Sequence, residues 1–299
     1  MARKKREPRG PGPKKQRENP PLQSDRRAME SVMQQFVSGF PGQAEERNTP
    51  LGKAQSLLYR AFQESNDKKR IQLANEALAL SPDEPMALLM RGIVRVERGE
   101  FEGGAYDLTA MLRLVPGHPE AVNSRAVAHV RMGQTTLALA ELSAALRLHP
   151  NHPRLLHNRA NALRDTGQVE QAIRDYDRLI RLHGRSVPAL ADRCLARLVR
   201  GDLAVALADC EAAVELAPEV ADVIENRGLV LLRLNRLDPA LVDFNRALAL
   251  RETQPWALYG RGVLRVRRGD AGGGGADIRA ARALDPRVSD DLARFGIKP

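Results

Sequence analysis

The feature that most constrains this chain is a pattern that returns about every 34 residues, from residue 51 to residue 288. One unit, residues 153–186, holds two apolar-periodic segments separated by Gly167, and each suits a helix of three to four turns. Neither segment can bury its apolar stripe alone, so each unit predicts two helices packed as a hairpin. Hairpins in unbroken register predict an all-α fold, an α-solenoid of stacked hairpins.

Turn and stop signals recur at the same place in successive units. A leucine near the end of each unit is followed two residues later by proline in five of the seven units, and proline stops the second helix. Between the helices of units two to seven stands glycine, or Asn235 in one unit, which indicates a turn that needs positive φ. Small residues, such as Ala160 and Ala172, mark the crossing of the two helices.

Together these signals resemble the tetratricopeptide repeat (TPR) family, and the resemblance covers residues 51–288. It implies a TPR-like right-handed superhelix whose first helices line a concave groove. Repeat one departs most from the pattern, with Ser65 at the turn and Arg70 at the small-residue place, so we expect an atypical capping unit. The seven repeats are 51–84, 85–118, 119–152, 153–186, 187–220, 221–254 and 255–288.

The flanking segments differ from the repeats. Residues 1–23 are basic and proline-rich, which predicts a disordered tail. Residues 24–50 read as a short amphipathic helix, 24–38, followed by a linker; the helix either caps the first repeat or occupies the chain's own groove. Residues 289–299 predict a C-terminal capping helix with Ser289 as its N-cap.

Charge and composition limit the function classes. The chain carries a net charge of +10, and residues 1–27 hold ten basic and three acidic residues. That segment is either a solvated tail or an arm for nucleic acid or an anionic surface. No apolar stretch is long enough for a membrane span. Cys194 and Cys210 make no disulfide framework, so we expect buried, unreactive thiols and a cytoplasmic protein. The alternative is a disulfide switch, because their spacing lets them approach across one hairpin; it requires Cα atoms within about 7 Å.

A charge ladder runs through repeats two to seven. An arginine recurs at the same place on the first helix of each unit, and an acid follows it at a constant interval on the second helix. We expect each pair to form a structural ion pair across its hairpin rather than a row of anion-binding arginines. The arginines are Arg91, Arg125, Arg159, Arg193, Arg227 and Arg261, and the acids are Asp107, Glu141, Asp175, Asp209, Asp243 and Asp277.

By the resemblance, repeat positions 2, 5, 9 and 12 face the groove. They place a polar patch on repeats three and four and an aromatic pair on repeat seven, which predicts that a peptide lies along the groove. Under the alternative interpretation, Trp256 does not bind a partner but packs on the C-terminal helix, near Leu292 or Phe295. The predicted partner-binding residues are Asn123, Arg154, His157, Asn158, Asn161, Arg164, Trp256 and Tyr259.

The sequence shows no pattern of a catalytic, metal or cofactor site. Repeat position 5 has no lysine, so the family's clamp for a partner's C-terminal carboxylate is not matched. We therefore expect a non-enzymatic adaptor that binds a protein or peptide, without cofactors or metals. The alternative is a protein associated with nucleic acid or an anionic surface through residues 3–27.

Overall fold

The computed structural model describes residues 48–299, which form fifteen α-helices and no β-strand. The helical class that the periodicity predicts is therefore confirmed. The predictions for the basic tail and for the helix at 24–38 lie outside these residues. The helices are α1 Pro50–Gln63, α2 Asp67–Leu80, α3 Pro85–Glu97, α4 Phe101–Leu114, α5 Pro119–Arg131, α6 Thr135–Leu148, α7 Pro153–Asp165, α8 Val169–His183, α9 Val187–Arg200, α10 Leu203–Leu216, α11 Ala221–Arg233, α12 Leu237–Leu250, α13 Pro255–Arg267, α14 Ala271–Leu284 and α15 Val288–Arg294.

The chain divides into two compact units between Gln134 and Thr135. The first unit contains α1–α5, in which α1 packs on α2 and α3 on α4. The second contains α6–α15, in which α7 packs on α8, α9 on α10, α11 on α12 and α13 on α14. The boundary falls inside the predicted third repeat, and the division of residues 51–288 into seven repeats stays a prediction.

The turns between paired helices follow the sequence signals. Gly167 has a φ of +83°, the left-handed conformation that glycine adopts without steric cost. Asn235 stands at the corresponding place with a φ of +57°. It is the one non-glycine residue with positive φ in the described chain, and asparagine tolerates this region better than most residues. Local backbone preference thus sets the places where the helices reverse.

Close packing at the helix crossings explains the small residues. A Cβ added to Gly228 of α11 would lie 2.9 Å from Cε1 of Phe244 on α12. Phe244 is fully buried, so the glycine leaves the space that its ring fills. Ala160 on α7 and Tyr176 on α8 form the equivalent pair, and both are fully buried. These two hairpins are therefore closed by a small residue opposite a larger one.

Cys194 and Cys210 occupy the same two places in the α9–α10 hairpin, where they form a disulfide. Their Cα atoms are 5.6 Å apart, within the range that a disulfide spans. The expectation of free thiols is therefore wrong. The reason is geometric: a 16-residue separation brings the two cysteines face to face at the crossing, as it does for Gly228 and Phe244.

The C-terminal helix α15 begins at Val288, one residue before the predicted N-cap. Arg287 is the N-cap, and the Ser289 hydroxyl instead accepts a hydrogen bond from Nε of Arg282 at 2.9 Å. The prediction of Ser289 as the cap is wrong, because its side chain is held by α14. Among the described helices, none is long and apolar enough to cross a membrane.

Candidate partner-binding surface

The first helices of successive hairpins in the second unit contact one another: α7 with α9, α9 with α11, and α11 with α13. We call the surface formed by these four helices the first-helix face. Its α7 end is polar, whereas its α9, α11 and α13 part is apolar. The apolar side chains include Leu195, Leu198, Leu229, Leu232 and Val263, which belong to one buried cluster.

The polar part of the first-helix face is organised by Asp192 of α9. Its Oδ2 lies 2.8 Å from Nε2 of His157, and its Oδ1 accepts a hydrogen bond of 2.9 Å from Nη1 of Arg164. Burial by itself raises the pKa of Asp192, but the hydrogen bond from His157 and the charge of Arg164 outweigh it. The net pKa lies well below the usual value, so the carboxylate is ionised and holds both α7 side chains in place.

A second contact orients Asn161. The hydroxyl of Tyr176 donates a hydrogen bond to its Oδ1, and the Tyr176 ring lies edge-on to His157 with centroids 6.1 Å apart. Tyr176 is fully buried, and burial raises its pKa well above the ordinary value. The phenol thus stays protonated, and its hydrogen bond fixes the orientation of the Asn161 amide.

The five predicted residues on α7, residues 154 to 164, keep part of their surface exposed. Arg154 is half-buried, and burial lowers its pKa to about 10, so it remains charged at neutral pH. Asn158 is half-buried one helical turn further along. Asn123 differs, because it is fully buried on α5 of the first unit. A residue buried in this way is not open to a partner in this conformation, and its role in binding stays a prediction.

The predicted aromatic anchors are covered by the chain itself. Trp256 lies edge-on to Phe295 with ring centroids 5.2 Å apart, and Tyr259 keeps only 2% of its surface exposed. The alternative for Trp256, packing near Leu292 or Phe295, is confirmed. Phe295, which directly follows α15, covers one part of Trp256, and Trp256 stays half-buried; Tyr259 is closed to a partner in this conformation.

The ion pairs of the charge ladder stabilise the hairpins, because each pair joins the two helices of one hairpin. Five predicted pairs meet, each through two hydrogen bonds of 2.6–2.9 Å from one arginine to one aspartate. Bidentate contacts of this kind are strong when the acid is buried, as all five are. The sixth pair, Arg125 and Glu141, has one member in each compact unit and stays a prediction. The five pairs are Arg91–Asp107, Arg159–Asp175, Arg193–Asp209, Arg227–Asp243 and Arg261–Asp277.

Sequence reasoning missed a second arginine in three of these pairs. Arg95, Arg197 and Arg265 lie one helical turn after the first arginine and donate to the same aspartate at 2.7–3.0 Å. Each stands at the same place in its repeat, one helical turn after the first arginine, and this spacing could have predicted the contacts from the sequence. Asp192 was also missed, because no acid stands at the corresponding place in the other repeats.

The described residues show no cluster of metal-binding side chains. Residues 48–299 hold no group of three or more His, Cys, Asp or Glu side chains placed to bind a metal ion. The candidate site consists of hydrogen-bond donors and acceptors on α7, and of apolar side chains on α9, α11 and α13.

Comparison with known proteins identifies the repeats. The sequence model of the tetratricopeptide repeat matches residues 123–187, 157–221 and 192–255. No curated protein shows significant sequence similarity to the chain.

Solved structures share the fold. A tetratricopeptide repeat protein from Parabacteroides merdae matches with a TM-score of 0.66 and 15% identity, over 81% of this chain and 98% of that chain. The Cut9–Hcn1 hetero-tetramer of the APC/C matches with a TM-score of 0.68 and 15% identity, over 90% of this chain and 52% of that chain. This chain therefore spans about half of that one. A thermophilic tetratricopeptide repeat protein from Thermus thermophilus matches with a TM-score of 0.50 and 24% identity, over 58% of this chain and 95% of that chain.

These repeats are typical of protein–protein interaction scaffolds, and proteins built from them are typically not enzymes. The hairpins, their turn and crossing residues, and the sequence match agree. Residues 123–255 are therefore tetratricopeptide repeats, and the described chain has the fold of proteins built from them.

Proposed function

We propose that this protein is a non-enzymatic scaffold whose first-helix face binds a peptide or a helix of a partner protein. The observation that carries the proposal is the partly exposed polar set on α7, next to apolar side chains of α9, α11 and α13 that form one buried cluster. Specific recognition of a peptide needs both: polar groups that set its orientation and an apolar core that supplies affinity.

The polar set is held rigid before any partner arrives. Asp192 bonds to both His157 and Arg164, and Tyr176 bonds to Asn161. Side chains that are already fixed lose less conformational entropy on binding, which favours affinity. Arg154 and Asn158 are also half-buried on α7 and add a charge and an amide to the same set.

Affinity capture followed by mass spectrometry tests the proposal. Arg154→Ala together with Asn158→Ala removes two members of the set without breaking the bonds to Asp192, and we expect partners of the wild-type chain to be lost. Arg174→Ala is the matched control, because Arg174 is an exposed arginine on α8, outside the first-helix face. Identical sets of captured proteins for all three chains would refute the proposed role of α7.

A second function rests on the charge of residues 1–27, ten basic against three acidic. We propose it as an alternative: these residues bind nucleic acid or an anionic surface. Deletion of residues 1–27 would then abolish binding to duplex DNA or RNA, and the affinity of the full chain would fall steeply with salt. Equal binding with and without the segment would exclude this function.

A further inference from the structure

The last residues of the chain lie on the apolar part of the first-helix face. Val288, Leu292 and Ile297 are fully buried, and Phe295 keeps 7% of its surface exposed. All four belong to the same buried cluster as Leu195, Leu229 and Val263 of α9, α11 and α13. We call residues 288–297 the C-terminal segment. Phe295 contacts Trp256 on α13, so the segment lies against part of the surface on which the scaffold would hold a peptide.

Polar contacts fix where the segment lies. Nη2 of Arg294 donates to the backbone carbonyls of Arg164 and Asp165, at 3.3 and 3.2 Å, at the end of α7. Nη2 of Arg267, at the end of α13, donates to the carbonyl of Lys298 at 3.4 Å. The segment thus reaches from the last hairpin to the polar end of the face, three hairpins earlier.

The chain turns sharply at Gly296, where φ is +70° and a Cβ would collide with the Arg233 guanidinium. Backbone strain therefore favours glycine at this place, and a residue with a Cβ would also require the Arg233 side chain to move. The buried side chains before and after it define a pattern: apolar residues at i, i+4 and i+7, glycine at i+8, and an apolar residue at i+9.

We propose that the first-helix face recognises a partner peptide with this pattern, a short amphipathic helix ended by glycine, and that the C-terminal segment is its built-in competitor. This inference rests on the proposed scaffold function and deepens it. The partner then takes the place of residues 288–297 rather than a separate site.

Several properties make the segment replaceable. Helix α15 has seven residues, too few to be stable without its packing surface. The hydrogen bonds of Arg294 to α7 are exposed to solvent, where such contacts contribute little. The segment follows the last hairpin and precedes no further described helix, so its release leaves α7–α14 connected.

One residue of the segment opposes docking. Asp291 is half-buried, and burial raises its pKa, as do the nearby carboxylates of Asp285 and Asp165. These effects outweigh the charges of Arg287 and Arg294, which lower it. An ionised Asp291 therefore weakens the docked state. A partner peptide with a neutral residue at this place lacks that penalty, which gives it an advantage over the chain's own segment.

The test uses the full chain and a fluorescent peptide of residues 285–299 as the probe. Leu292→Asp with Phe295→Asp releases the segment, and Asp290→Ser with Lys298→Asp is the control, since both of those side chains are exposed. By fluorescence anisotropy, we expect the released variant to bind the peptide at least tenfold more tightly than the wild-type and control chains do. A peptide carrying Asp291→Asn should bind the released variant severalfold more tightly still.

A folded released variant that does not bind the peptide, or wild-type binding equal to the variant's, overturns the inference. So does loss of helical structure in the variant, because a competitor must be removable. Hydrogen exchange on the wild-type chain gives an independent measurement: amides of residues 292–297 should exchange faster than those of α13, and equal rates overturn the inference. Affinity capture that depends on Arg154 and Asn158 gives a further test. If the released variant captures the same partners in the same amounts as the wild type, the inference is overturned, but the scaffold function stands.

Discussion

Phe295 packs its ring edge-on against Trp256, with the two centroids 5.2 Å apart. The pair joins the C-terminal segment to the first turn of α13, and Trp256 is the single tryptophan of the chain. Its fluorescence therefore reports directly on whether the segment is docked.

Phe295→Ala should release the segment while α7–α14 stays folded. Truncation of a buried phenylalanine costs about 3–5 kcal/mol, and a seven-residue helix cannot absorb that loss. We expect Trp256 emission to shift to longer wavelength and to become more sensitive to iodide, with little change in helical circular dichroism. Tyr106→Ala, at an exposed tyrosine, should leave the emission unchanged. Cooperative loss of the whole helical signal would contradict local release.

Asp192→Asn should lower stability at neutral pH by roughly 1–3 kcal/mol, because Arg164 and His157 lose a charged partner. It should also flatten the acid dependence. The folded-state pKa of Asp192 is depressed below its ordinary value of 3.8, so its stabilisation is present above about pH 4 and is lost as the pH falls further.

Urea unfolding between pH 6 and pH 3 measures this difference in slope. Asp202→Asn, at a partly exposed aspartate that pairs with Arg200, serves as the control and should keep the wild-type slope. Parallel curves for the wild type and Asp192→Asn would show that Asp192 is not linked to folding.

Reduction of the Cys194–Cys210 disulfide should destabilise the second unit by about 3 kcal/mol, the value expected for a closed loop of this length. The matched variant is Cys194→Ala with Cys210→Leu, which restores the small and large pairing of the neighbouring hairpins. Its stability should not respond to dithiothreitol. Urea unfolding with and without the reductant measures both, and an unchanged wild-type midpoint would argue against the disulfide in solution.

Loss of one arginine should have different consequences in different hairpins. Arg227→Ala leaves Asp243 buried without its bidentate partner, and breaking such a pair costs about 3–5 kcal/mol. Arg197→Ala leaves Asp209 still bound twice by Arg193, so we expect a loss of about 1 kcal/mol. Free energies of unfolding in urea compare the two. Equal losses would mean that the second arginine carries as much of the contact as the first.

Gly260→Ala should destabilise the chain, whereas Gly272→Ala should stabilise it. At Gly260 a Cβ would lie 2.5 Å from Cζ of the buried Phe244, and overpacking costs about 1–3 kcal/mol. A Cβ at Gly272 would meet no atom within 4 Å outside its own helix turn, so alanine gains up to about 1 kcal/mol of helix propensity in α14. Thermal unfolding should move in opposite directions for the two variants, and a common direction would refute this account of their packing.

The sequence by itself determined the helices, their turns and the pairing inside each hairpin, because these depend on contacts within a single repeat unit. Gly167 and Asn235 mark reversals through backbone preference alone. The constant interval from Arg159 to Asp175 predicts their contact, because one turn folds two short helices against each other. The positions of α7 that keep exposed polar groups were also predicted from the repeat.

Only the tertiary structure decided which of these surfaces are open. Arg294 contacts Arg164 across 130 residues, a separation that no periodic pattern encodes. Apolar spacing in residues 288–297 shows that the segment needs a surface, but any apolar surface satisfies that need equally. Packing selected the first-helix face, and this choice places Phe295 against Trp256. The disulfide also depends on the tertiary structure. The spacing in the sequence brings the two cysteines near each other, but a bond forms only when their Cα atoms lie at the right distance.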